Sequence, residues 1–270
     1  MIETYFFIPA DKTRFISKTY EVKSDYYILD LEDSVSAKNK KIALKNIMDL
    51  ELSDKFFVRV PFFDKSLTEN DLEAIVNKSN GRLVIPKVKS INDIEKVLSY
   101  SPEINFEIIV LVESPTGALI IENILKKYSQ FIHGVGFGSH DYCATTGSKH
   151  VLEQLSFIKQ FLVFYSKAYQ VKYIDGVDLN LRDFSEFIRE CKFVYDAGGE
   201  GKFIIHPEQL NILKDIKFLD KEEMDHLELV YNKLSQIPTD EMDIIQFDGK
   251  VYEKPHVDRI KRIFETMKYR

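Results

Sequence analysis

Short apolar runs, rich in β-branched and aromatic residues, recur along the chain with helical patterns between them. Eight such runs read as strands: Tyr5–Ile8, Tyr26–Leu29, Phe56–Val60, Arg82–Ile85, Glu107–Val112, Gly134–Phe137, Lys172–Val177 and Lys202–Ile205. Most do not alternate polar and apolar positions. That marks strands covered on both faces, as in a parallel sheet. The segments Ile91–Tyr100, Ala118–Tyr128, Leu152–Tyr169 and Asp183–Asp196 carry helical patterns. Eight β-then-α units in a row predict an α/β fold of the (β/α)8 TIM-barrel type. An open doubly wound sheet competes, but its phosphate-binding glycine fingerprint is missing. Ile8-Pro9-Ala10-Asp11, after the first strand, contains no glycine.

After Asp215 the pattern changes. Glu222–Gln236 reads as a helix, and Ile244–Tyr252 as a hairpin turning at Asp248-Gly249. Pro255 then opens an amphipathic helix through Lys268, since proline suits a first helical turn. No linker and no internal repeat interrupts the chain. The expected organisation is one domain, residues 1–270, with 216–270 as a C-terminal helix–hairpin–helix extension. Such an extension caps the active-site face or reaches a neighbouring subunit.

Bulk properties narrow the function. A length of 270 residues suits one α/β barrel, and a hydrophobic fraction of 44% supports a real core. The net charge of -6, with Lys and Arg scattered, argues against nucleic-acid binding, which needs a clustered basic face. No apolar run approaches the roughly 18 residues of a membrane span. The start, Met1-Ile2-Glu3-Thr4-Tyr5, lacks the basic, then apolar, build of a signal peptide. Cys143 and Cys191 have no metal-type spacing, so a reduced, cytoplasmic protein is expected.

In a barrel of this kind, chemistry sits at the carboxyl ends of the strands. Glu113 ends the run Ile108–Val112, and Asp141 follows the sixth strand and the turn Gly138-Ser139-His140. Consecutive parallel strands are usually neighbours, which brings their tips to about 5 Å. Two carboxylates that close repel unless a cation or a proton lies between them. A divalent-metal site is the first expectation, and Mg²⁺ commonly takes one or two protein carboxylates and keeps several waters. Arg59, among apolar neighbours at the third tip, reads as a fork for a carboxylate. Asp30, Glu32 and Asp33 crowd the second tip, more acids than one helix cap requires. Asp30 and Glu32 are therefore candidate acid–base groups. Lys87 at the fourth tip, and Gly138 and Ser139 at the sixth, are candidate substrate contacts. His206 reads as a packing residue, Cys143 as a buried small hydrophobe, and His133, His150, His226 and His256 have no supporting context.

Several segments occur in a familiar order. They are Phe7-Ile8-Pro9, Ile28 through Val35 with Lys40 downstream, Val58-Arg59-Val60, Ile85-Pro86-Lys87-Val88 and Val112 through Gly117. Gly136 through Tyr142, Ile174 through Val177, Gly201 through Gln209, and Asp248-Gly249-Lys250 through Pro255 complete the set. On these the chain resembles the citrate lyase β-subunit-like proteins of the HpcH/HpaI aldolase group, which includes malyl-CoA lyases. The resemblance implies a TIM barrel, usually trimeric, whose C-terminal segment contacts a neighbouring subunit. It implies Glu113 and Asp141 as Mg²⁺ ligands and Arg59 as the group that binds the substrate carboxylate. It implies a carbon–carbon lyase that cleaves a 3-hydroxyacyl thioester, or condenses a 2-oxo acid, by aldol-type chemistry. Some members hydrolyse the thioester instead. The tail carboxylate Glu253 stands where an Asp is typical and serves as acid or base in some members. From the residues, Glu253, Asp30 and Glu32 all remain open as the base. Also open are coenzyme A against an acyl carrier protein, a free-acid aldolase, and a non-catalytic 2-oxo-acid-binding subunit of a larger complex.

Overall fold

The computed structural model describes residues 2–63, 66–234, 244–247 and 249–268. They fall into two compact units, Ile2–Asp215 and Ile216–Arg270.

The first unit runs β1 (Glu3–Pro9), α1 (Thr13–Ser17), β2 (Tyr26–Asp30), α2 (Lys40–Met48), β3 (Phe56–Arg59), α3 (Glu69–Lys78) and β4 (Arg82–Ile85). It continues through α4 (Ile91–Ser99), β5 (Glu107–Val112), α5 (Pro115–Tyr128), β6 (Ile132–Phe137), α6 (Ser139–Thr146) and α7 (Leu152–Ala168). It closes with β7 (Lys172–Asp175), α8 (Ser185–Asp196), β8 (Gly201–Ile204) and α9 (Pro207–Asp215). The strands pair in sequence order, and β8 returns in parallel to β1. This is the closed eight-stranded barrel that the repeated β-then-α pattern predicts, each strand within two residues of its expected ends.

Tyr5, Ile28, Phe57, Val84, Ile109, Leu111, Ile174 and Phe203 form one buried cluster. Every barrel strand except β6 contributes to it. On β6 a Cβ at Gly136 would lie 2.7 Å from the Phe203 ring. The missing side chain lets that ring fill the interior, consistent with a packed barrel core. Around the barrel, helices begin on side-chain caps. Thr68 with Asp71 and Ser90 with Asp93 make capping boxes for α3 and α4. Ser114 caps α5 ahead of Pro115. That cap starts α5 three residues before the expected Ala118.

One expectation is corrected. Ser139 and His140 are not a free turn; they open helix α6, which ends on Gly147 at φ 72°. The left-handed residue at that end is the usual glycine stop.

A buried ionic tetrad ties β7 and β8 to the helices outside. Lys202 Nζ donates to Asp175 at 2.6 Å and Glu190 at 2.8 Å. Lys159 Nζ lies 3.0 Å from Asp175 and 3.3 Å from Glu190. Two cations and two anions, each buried, compensate one another.

The second unit holds α10 (Lys221–Leu234), the antiparallel pair β9 (Ile245–Phe247) and β10 (Lys250–Tyr252), and α11 (Lys254–Lys268). Val230, Tyr252, Val257 and Ile260 form its core. The expected turn residue Asp248 and the last two residues of the expected helix Glu222–Gln236 lie outside the described residues. Among the described residues no helix is long and apolar enough to cross a membrane.

Candidate active site

Strand register assembles the first half of the site. β2 and β3 pair with Asp30 opposite Arg59. Arg59 Nε donates to Asp30 Oδ1 at 2.7 Å, and Nη2 to Oδ2 at 2.6 Å. This is a two-pronged guanidinium–carboxylate contact. The backbone N–H groups of Glu32 and Ser34 donate to the same two oxygens, at 2.8 and 3.2 Å. Burial pushes the Asp30 carboxyl up, but the Arg59 charge and these hydrogen bonds win and hold it below the ordinary range. The Arg59 guanidinium sits over the Phe7 ring, 4.9 Å from its centre. Its Nη1 lies 3.3 Å from Glu32.

The second-tip loop is pinned from two more sides. Lys40 Nζ donates to the carbonyl oxygens of Leu31 and Glu32, at 2.5 and 2.8 Å. Lys87 Nζ pairs with Glu32 and, at 3.0 Å, with Asp33. Burial, then the contact with Asp33, hold the Glu32 carboxyl above its ordinary range against Arg59 and Lys87. Lys87 itself has φ 56°, a left-handed backbone that non-glycine residues enter at a cost of about 1–2 kcal/mol. That conformation accompanies a backbone N–H aimed at Glu113 Oε2, 2.7 Å away. Strain at this spot fits a functional role.

The β5–β6 register sets the acid pair. Val112 lies opposite Phe137, so Glu113 meets Gly138, and Asp141 follows in the first turn of α6. A Cβ on Gly138 would lie 2.7 Å from Glu113 Oε1, so only glycine leaves the carboxylate its place. Glu113 is 6% exposed. Burial pushes its carboxyl up to about 8, with the charges of Asp141 and Glu32 adding to the effect. Asp141 is half-buried, and no ion pair engages its carboxylate among the described residues. No cluster of three or more His, Cys, Asp or Glu that could hold a metal ion occurs among the described residues. What this half of the site offers an ion is the two carboxylates of Glu113 and Asp141. A buried acid whose proton affinity is raised lacks a cation, and a hard, largely hydrated ion such as Mg²⁺ fits that set.

Both halves open on one cavity of about 450 Å³ at the carboxyl ends of the strands. Asp30, Arg59, Glu113, Gly138, Ser139 and Asp141 line it on the polar side. Phe7, Leu111, Phe137, Val177, Phe203 and Ile205 line it on the apolar side. Lys87 is absent from the lining and acts on it through Glu113 and Glu32. Ser139 is buried, with Oγ 2.8 Å from His150 Nε2. The His150 ring stacks on His140 at 3.9 Å. Burial, then the neighbouring His150, lower the affinity of His140 for a proton. No local pattern marks His150, because its partners Ser139 and His140 lie at the other end of α6 and meet it only in the folded chain. His206, expected to pack at the barrel mouth, is instead exposed, and its Nδ1 accepts from the Glu208 N–H two residues on. Glu253 belongs to the second unit, where it is exposed and its N–H donates to His256 Nδ1 at 3.1 Å.

Comparison with known proteins agrees with this picture. The family model described as HpcH/HpaI aldolase/citrate lyase matches residues 3–207. The citrate lyase subunit beta of Escherichia coli (strain K12) is 23% identical over 274 residues, covering 95% of this chain and 90% of the relative. A (3S)-malyl-CoA thioesterase of Cereibacter sphaeroides (strain KD131 / KCTC 12085) is 27% identical over 259 residues, covering 93% and 89%. The crystal structure of CitE from Mycobacterium tuberculosis, in complex with magnesium, acetoacetate and coenzyme A, superposes with a TM-score of 0.82. It is 21% identical and covers 98% of this chain and 97% of that one, a likeness of fold.

Proposed function

The chain belongs to the HpcH/HpaI aldolase/citrate lyase family, and from that premise we propose that it is a Mg²⁺-dependent carbon–carbon lyase acting on a 3-hydroxyacyl thioester. One observation carries the reading. The Glu113–Asp141 pair and the Asp30-anchored Arg59 line the same cavity. Glu113 and Asp141 would hold the ion, leaving about four positions for water and substrate oxygens. When bound, the ion supplies Lewis acidity at the oxo group and stabilises negative charge developing there.

The protein side chains do the rest. Arg59 keeps N–H groups beyond the two that grip Asp30, and these bind the substrate carboxylate. Asp30, with both oxygens accepting hydrogen bonds, fixes the plane of that guanidinium and makes a poor base. Glu32, its carboxyl held above the ordinary range and paired with Arg59 and Lys87 just behind the cavity lining, is the other acid–base candidate on the barrel. Glu253 is the third candidate. In the cleavage direction the base takes the hydroxyl proton, the adjoining carbon–carbon bond breaks, and the released methylene carbon takes a proton. The apolar wall excludes water from the reacting carbons.

Hydrolysis of the same thioester is the second reading, favoured by the similarity to the malyl-CoA thioesterase. The acyl carrier is coenzyme A or an acyl carrier protein. A cytoplasmic homotrimer is the assembly we propose, in keeping with the free thiols of Cys143 and Cys191. Size-exclusion chromatography with light scattering tests the trimer. The activity test is incubation with Mg²⁺ and malyl, citramalyl and citryl thioesters. Release of a free 2-oxo acid is the expected result. Free thiol with intact hydroxy acid means hydrolysis. No turnover, alongside tight binding of 2-oxo acids, would leave only the binding-subunit reading.

A further inference from the structure

Helix α7 is apolar on the side that packs on the barrel and on the side that faces away. Leu155, Ile158, Leu162 and Val163 are buried. On the outward side Phe157 is 76% exposed and Phe164 65%. A ladder of rings runs Phe157–Phe161–Tyr165–Phe164, with centres 6.2, 4.8 and 5.3 Å apart. Leu119 of the neighbouring α5 adds a side chain 78% exposed. From Gln154 to Ser166 the one charged residue is Lys159, and it is buried in the tetrad. The next helix, α8, presents Glu186, Arg189, Lys192 and Asp196 to solvent. A helix apolar all round is one that the assembled protein buries, and an exposed patch of this kind marks an interaction surface.

The order of residues along the stripe says what covers it. Gln160 is exposed and stands at the middle. Phe157 lies three positions before it and Phe164 four after; Glu153 lies seven before and Lys167 seven after. Turning a second copy by half a revolution about an axis through Gln160 sets α7 antiparallel to itself. Phe157 then meets the second copy's Phe164, and Gln160 meets its own equivalent. An amide both donates and accepts, so the two glutamines can bond reciprocally. Each end of the stripe carries an ion pair, Glu153 with Arg189 and Lys167 with Glu200. The rotation brings the acid of one end beside the base of the other, and opposes the two helix dipoles. Phe157, Phe161, Phe164 and Leu119 offer on the order of 500 Å² of apolar surface per copy, most of the roughly 800 Å² that each partner gives to a standard interface.

From this pattern we infer that the outer face of α7 is a two-fold contact between copies of this chain. The contact is isologous, with the same patch on both sides. It is distinct from a three-fold ring and independent of the lyase reading. Copies therefore come in even number, two by this contact alone and six where the trimer also forms.

Light scattering after size-exclusion chromatography of the full-length protein tests this. The expected mass is an even multiple of the chain mass. Phe157→Glu sets a carboxylate into the apolar stripe on both sides. It should halve the mass and raise the dissociation constant ~100-fold or more, with the circular dichroism spectrum unchanged. Gln160→Cys, on the axis, should give a disulfide-linked pair of chains under mild oxidation. Glu153→Cys, about 20 Å from its equivalent across the axis, should not. The wild type, whose Cys143 and Cys191 are buried, is the control. An odd number of copies overturns the inference, including the single copy expected if residues 216–270 of the same chain cover the stripe. So does an unchanged mass for Phe157→Glu, or a linked pair from Glu153→Cys and none from Gln160→Cys.

Discussion

Glu113→Gln separates the metal site from the stability of the barrel. Glu113 ionises near 4.5 in an unfolded chain and is pushed up to about 8 in the folded, metal-free protein by burial first. Between those values the folded state holds a proton that the unfolded state has lost. The stability of the metal-free protein therefore falls as pH rises through the window, and levels off above it. At ~1.36 kcal/mol per pH unit, the loss reaches ~3 kcal/mol by neutral pH and ~5 kcal/mol above the window. Glutamine keeps an oxygen for the Lys87 N–H and removes the titration. The metal-free variant should thus be more stable than the wild type at neutral pH, by ~3 kcal/mol or roughly 6–12 °C in Tm. Mg²⁺ should raise the wild-type Tm, more so as pH rises, because the ligand must be ionised to bind. It should leave the variant unmoved. The assay is thermal melting by circular dichroism across about pH 5 to 9, with EDTA or with Mg²⁺. A metal-free variant that melts below the wild type at neutral pH refutes the burial argument. A variant stabilised by Mg²⁺ as strongly as the wild type refutes the ligand assignment.

Asp30→Asn removes the anion that holds Arg59 and should destabilise the barrel by ~3 kcal/mol or more in urea unfolding, with a fall in kcat/KM. Because Arg59 and the hydrogen bonds hold the Asp30 carboxyl low against burial, its contribution is present above the ordinary carboxylate range and lost on acidification. The variant should show a shallower acid-induced loss. Lys202→Met leaves Asp175 and Glu190 with Lys159 alone, an uncompensated buried charge that should cost ~3–5 kcal/mol. Adding Glu190→Leu rebalances the charges and should recover much of that loss, read by denaturant unfolding of the single and double variants. Gly138→Ala places a Cβ 2.7 Å from Glu113 Oε1. Mg²⁺ affinity by calorimetry should drop ~10-fold or more while the circular dichroism spectrum is unchanged.

The eight strands were legible because each is a local pattern. A run such as Ile108–Val112 is apolar at every position, and only a strand covered on both faces uses such a run. Adjacency of the Glu113 and Asp141 tips was legible too, since sequential parallel strands tend to pair. The reach of single side chains was not. The resemblance assigns Arg59 to the substrate carboxylate, yet its fork already closes on Asp30, 29 positions away, because β2 and β3 pair in that register. Lys87 offered a side chain as a candidate contact, while its backbone N–H, turned by a positive φ, is what touches Glu113. The Lys159–Asp175–Glu190–Lys202 tetrad, spread over two strands and two helices, gave no local sign.

The order of strands and helices, and the ionisable residues at strand tips, follow from periodicity and chain adjacency, which are properties of neighbours along the chain. Which tips hold one another, how each carboxyl's proton affinity shifts and where the cavity turns apolar come from folding, because hydrogen bonding and desolvation depend on groups distant along the chain.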